Sequence, residues 1–63
     1  MEKEEFKKLI EDCRDLSNTL ASKIYKVEEE MRKNKEKTDI ISDHSRNATE
    51  MFYYFLDLYL KLK

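Results

Sequence analysis

Neither glycine nor proline occurs in this chain. Without glycine no residue is suited to left-handed turns, and without proline nothing interrupts a helix. Both absences argue against sheets joined by tight hairpins and leave long helices as the natural outcome. Cysteine is nearly absent as well: Cys13 stands alone, which excludes a disulfide within the chain and fits a reducing compartment, while a bond between two chains stays open. No stretch reaches the roughly 20 apolar residues needed to cross a bilayer, and the start, MEKEEFKK, is charged rather than apolar. The expectation is a soluble protein of the cytoplasm. An excess of either charge sign is missing too. With 13 basic and 14 acidic side chains the net charge is −1, so there is no overall field to attract nucleic acid or anionic lipid.

What is present is a balance of charged residues, 43%, and apolar residues, 40%, which suits solvated helix faces around a buried seam. A chain of 63 residues buries only a modest share of its surface, so its margin of stability is thin. Small scaffolds compensate with disulfides, a metal or oligomerisation, and the ligands for the first two are lacking here. Oligomerisation remains. Lys and Glu dominate the charged set and glutamine is absent, a bias associated with work at high temperature.

Apolar residues fall at Phe6, Leu9, Cys13, Leu16, Leu20, Ile24, Val27 and Met31, in steps of three or four that match the helical period. The spacing predicts one helix over about 3–33, with acidic residues Glu2, Glu4 and Glu5 at its start and Arg32 and Lys33 at its end, as the helix dipole favours. The pattern lapses in NKEK, and Thr38 or Asp39 can then cap a second helix over about 39–62. Residues 34–38 form the turn. In the second helix Ile41, Ala48, Phe55 and Leu62 share one line. His44, Met51 and Leu58 flank it on one side, and Ser45, Phe52 and Tyr59 on the other. Asp43 near its start and Lys61 and Lys63 near its end again oppose the dipole. A short connection makes the helices antiparallel neighbours. Leu9 should then face Leu62, with Cys13 opposite Leu58, Leu16 opposite Phe55, Leu20 opposite Met51, Ile24 opposite Ala48 and Val27 opposite His44.

One hairpin cannot shelter all of this apolar surface. The segment MFYYFLDLYL, residues 51–60, is apolar almost all round, and a second line of Tyr53, Leu56 and Leu60 points away from the expected seam. Each large side chain removed from water gains about 1.5–3 kcal/mol, so burial against a partner can exceed the stability of so small a domain. The fold class expected is therefore all-α: an antiparallel helical hairpin that dimerises into a four-helix bundle. Leu16, Leu20, Ile24, Met51, Phe52, Phe55, Leu56 and Tyr59 are the candidate core and dimer-interface residues, and Tyr53 and Tyr54 the candidate surface for another partner. A peripheral membrane helix would carry more Lys and Arg on its polar side, so no membrane partner is expected.

Candidate chemistry reads as structure. His44 is the only histidine, and no glutamate stands three residues before it, as carboxylate-bridged metal sites in bundles require; a packed or partly exposed turn histidine is the expectation. Cys13 sits on the apolar stripe of the first helix without a histidine at a neighbouring helical position, so core packing is favoured over nucleophilic catalysis. Asn47, Ala48 and Thr49 match a glycosylation sequon within a helix, without a secretory signal. Lys23, Lys26, Arg32, Lys33, Lys35 and Lys37 form the most basic region, but Glu28, Glu29, Glu30 and Glu36 are interspersed, which suits a salt-bridged surface better than nucleic-acid contact. No catalytic, metal or cofactor residue is assigned.

The whole chain, from MEKEEFKK through NKEKTD to MFYYFLDLYLKLK, resembles small proteins of the spindle-shaped viruses of Sulfolobus (fuselloviruses). The resemblance lies in length, a lone turn between two helices and a Lys/Glu-rich, glutamine-free composition. It implies a dimeric four-helix bundle acting as an adaptor for a host or viral protein in the host cytoplasm. The plasmid-encoded Rop regulator is similar in size and hairpin plan and binds paired RNA hairpins, which makes RNA regulation the rival function. Shared architecture does not transfer function, and an organised basic and aromatic face across the dimer is not evident here.

Overall fold

A computed structural model describes residues 1–62. Helix α1 spans Lys3–Lys33 and helix α2 spans Asp39–Leu62, the spans that the apolar spacing and end charges predict. Glu4 and Glu5 occupy the first turn of α1 and Arg32 and Lys33 its last; Asp39 and Lys61 play the same parts in α2, while Lys63 lies outside the described residues. The two helices pack side by side as a hairpin measuring 49 × 15 × 13 Å.

The ends of the helices are built from backbone more than from side chains. Glu2 is extended at the α1 N-cap and makes no side-chain cap, but its carbonyl accepts the amide of Phe6 at 3.0 Å. At the other end Glu36 N–H donates to Met31 C=O at 2.9 Å and Lys35 N–H to Arg32 C=O at 3.1 Å. This is the Schellman arrangement, which satisfies the last free carbonyls and needs a left-handed residue just past the helix. Glycine ordinarily fills that position. Here Lys35 does so, with φ 60°, because the chain has no glycine to offer. Thr38 C=O then accepts the amide of Ser42 at 2.9 Å, opening α2.

The axial register of the hairpin agrees with the sequence reading, since Leu16 and Leu20 line one groove together with Met51 and Phe55. Which face of α1 turns inward does not. Ile10, Ser17 and Glu28 are buried, and Arg14, Ala21, Ile24 and Met31 are half-buried, whereas Leu9, Cys13, Leu16, Leu20 and Val27 are exposed. Relative to the expected stripe the helix is rotated by roughly 70°, rather less than the ~100° between successive residues. On α2 the rotation favours the flank of Ser45, Phe52 and Tyr59, all half-buried, and leaves His44 and Met51 open. Thus Cys13 is exposed rather than packed, and Val27 and His44 are both exposed rather than facing each other.

Small residues explain the rotation. Ser17 and Ala21 on α1, with Ser45 and Ala48 on α2, let two helices approach closely where leucines would hold them apart. Polar groups on this seam all find partners. Ser17 Oγ donates to the carbonyls of Cys13, at 2.7 Å, and Arg14, at 3.0 Å. Glu28 accepts a hydrogen bond from Ser42 Oγ across the seam and one from Arg32 at 3.1 Å. The Arg14 guanidinium lies 4.7 Å from the centre of the Tyr59 ring, a cation–π contact that joins the helices further along.

Candidate interaction surface

The consequence of a narrow, partly polar seam is a small core. Ile10 and Ala48 are the only buried apolar side chains among the described residues. Many of the remaining large apolar groups form a stripe along one side of the hairpin, while Tyr25, Tyr53, Tyr54 and Leu60 are exposed elsewhere. On α1 it comprises Phe6, Leu9, Cys13, Leu16, Leu20 and Val27, and on α2 Met51, with Phe55 half-buried beside it. Leu16, in its middle, is 70% exposed. Between the helices this face dips into a groove of about 320 Å³ lined by Cys13, Leu16, Ser17, Leu20, Met51 and Phe55. Toward the turn, Met31, Ile40, Ile41 and His44 border a second depression of about 340 Å³. No charged residue interrupts the α1 part of the stripe from Phe6 to Val27.

A different groove, of about 430 Å³, opens on the other side of the hairpin. Tyr25, Phe52 and Tyr53 line it together with hydroxyl and amide groups that include Ser22, Ser45 and Thr49. The Phe52 and Tyr53 rings lie 5.4 Å apart and tilted by 58°, and Tyr54 stands edge-on to Phe55 at 5.3 Å. Tyr53 and Tyr54 are both exposed.

The residues singled out from the sequence therefore divide. Leu16, Leu20, Met51 and Phe55 come together on the apolar face. Ile24 and Tyr59 are half-buried on the hairpin seam, Phe52 lies between the seam and the aromatic groove, and Leu56 is half-buried beside them. Sequence reasoning missed Arg14, Ser17, Glu28 and Ser42, the polar members of the seam. Their signal was present: Ile10, Ser17, Ile24 and Met31 recur every seven residues, as do Arg14, Ala21 and Glu28, a second heptad hidden beside the more apolar one.

Electrostatics on the outer surface is local. Lys8 bridges Asp12 at 3.0 Å and Glu11 at 3.6 Å, and its pKa is raised, chiefly by the Asp12 hydrogen bond and charge. Arg14 is held in its charged form first by a hydrogen bond to Asp15. In the basic region Arg32 is paired with the buried Glu28 and Lys33 with Glu30; an exposed helical pair such as the second contributes about a few tenths of a kcal/mol. Among the described residues no group of three or more His, Cys, Asp or Glu side chains is placed to hold a metal ion, and no helix is long and apolar enough to cross a membrane. Comparison with known proteins finds no matching family model, curated protein or solved structure.

Proposed function

We propose that the chain works as a homodimer, two hairpins closing a four-helix bundle through the apolar face, and that the dimer serves as a non-enzymatic adaptor between proteins. The observation that carries this reading is the contrast between two buried apolar side chains and a stripe of open ones centred on Leu16. Exposed apolar surface of that continuity marks an interaction site, and a second copy offers the same stripe in return. The aromatic groove around Tyr25, Phe52 and Tyr53 lies away from the stripe, so it stays open in such a dimer. Aromatic side chains are enriched at protein interfaces, and Tyr is among the usual hot-spot anchors. The partner docked there is a host or viral protein, and the Lys/Glu-rich, glutamine-free composition supports placing the protein with small viral proteins that act in the cytoplasm of hot-environment archaea.

The test has two arms. Sedimentation equilibrium of the purified chain is expected to give a dimer. Affinity capture from host extract is expected to retain a protein that is lost with Tyr53→Ala, a substitution that leaves the dimer intact. Tight binding to structured RNA, falling steeply with salt, would instead favour an RNA regulator.

A further inference from the structure

Resting on the homodimer reading, the geometry points to one arrangement of the two copies: turns at opposite ends, with α1 packed antiparallel on the α1 of the second copy about a twofold axis near Leu16. The apolar stripe of α1 is almost its own mirror image. Reversed about a point just after Leu16, Phe6 falls on Val27 and Cys13 on Leu20, Leu16 lies within one residue of its own mate, and Leu9 falls level with Ile24, half-buried where the stripe borders the seam. The exposed apolar residues thus lie level with, or within one residue of, apolar residues of the second copy, and each pair occurs twice, as an isologous contact requires. The level of α2 follows, because Leu16 and Phe55 share one groove. Phe55 then approaches its own counterpart across the axis, and Met51 meets Leu58.

Charges on the neighbouring edge of α1 agree. Beyond the stripe, on the side away from α2, lie Glu5 and Asp12 in the first half of the helix and Lys23 in the second, with Lys26 just behind. The antiparallel pairing sets Asp12 within about 3 Å of axial level with Lys23 of the second copy, and Glu5 equally close to the level of Lys26. By symmetry each contact occurs twice. Glu30 shares this edge and is paired with Lys33 in its own helix, as Asp12 is with Lys8.

The alternative places both turns at one end and packs α1 on α2 of the second copy. Distance measurement separates the two with only one conservative change on the interface. With Cys13→Ser as background, a nitroxide attached through Glu36→Cys marks each turn, and pulsed electron–electron resonance reads their separation. Opposite turns are expected about 50 Å apart, from a rise of 1.5 Å per residue on either side of the axis. A separation below about 25 Å, as interaxial spacings of 8–10 Å would give for neighbouring turns, overturns the arrangement while leaving the dimer itself standing. The register has its own check. In the same background Leu16→Cys is expected to cross-link to its mate on mild oxidation, whereas the native Cys13 pair, offset by about 10 Å along the axis, exceeds the reach of a disulfide. Rapid cross-linking of native Cys13 with none at position 16 would overturn the register. A chain that sediments as a monomer in these preparations would overturn the homodimer reading and this arrangement together.

Discussion

At the residue scale the most informative group is Glu28. A carboxylate facing a neighbouring helix needs partners, and it has Ser42 across the seam and Arg32 on its own helix. Removing one member of such a pair costs more than removing both, because the survivor, here the half-buried Ser42, loses its partner. Glu28→Leu is therefore expected to lower stability by about 1–3 kcal/mol, and Glu28→Leu combined with Ser42→Ala to recover most of that loss. Thermal unfolding at fixed protein concentration measures both. Equal losses for the single and double variants would mean that Ser42 does not depend on Glu28. Leu16 offers the opposite case. Since it is 70% exposed in a single hairpin, Leu16→Asp leaves the hairpin's own packing untouched and acts only on whatever covers that face. It is expected to shift the chain toward monomer, where an ordinary surface position would show an effect within about ±0.5 kcal/mol. Phe55→Asp should act in the same direction.

At the scale of the helices, the strain is concentrated in one residue of the turn. Lys35 holds the left-handed position that completes the end of α1, a conformation that costs an L-residue roughly 1–2 kcal/mol. Lys35→Gly relieves that cost and returns part of it as unfolded-state freedom. A net gain of about 0.5–1 kcal/mol is expected, a rise of several degrees in melting temperature for a domain of this size. A lower melting temperature would show that the lysine side chain contributes something the backbone geometry does not reveal. The helices themselves were legible from their spacing and end charges, because a 3.6-residue period and a dipole are local properties. Their rotation was not. The sequence contains two adjacent heptads on α1, one rich in leucine and one built on Ile10, Ser17, Ala21 and Glu28, and apolar content alone selects the first. Which heptad faces α2 depends on how closely the helices approach, a property of small residues on both elements taken together. The same rotation carried Leu9, Leu16, Leu20 and Val27 out to the surface, so the candidate interface was only half legible: Leu16, Leu20, Met51 and Phe55 belong to one face, while Ile24 and Tyr59 belong to the seam.

For the whole molecule, the rotation strengthens the case for association. Had the leucines met α2, the hairpin would have covered most of its own apolar surface; instead it buries only Ile10 and Ala48 among the described apolar side chains and leaves a continuous stripe open. In a dimer the exposed thiol of Cys13 passes into the interface. Its reaction with a disulfide reagent is expected to be slow at high protein concentration and to quicken on dilution, following dissociation of the two hairpins. A rate independent of concentration, over a range in which sedimentation shows dissociation, would move Cys13 out of the interface.

The most direct measurement is the mass of the purified chain in dilute solution by sedimentation equilibrium, with helicity recorded on the same samples. Two copies of the 7.7 kDa chain, losing helix as they dissociate, is the result expected. A single copy that keeps its helices and melts cooperatively would contradict the account, because it would show that two buried apolar side chains and a polar seam are enough to hold this hairpin together.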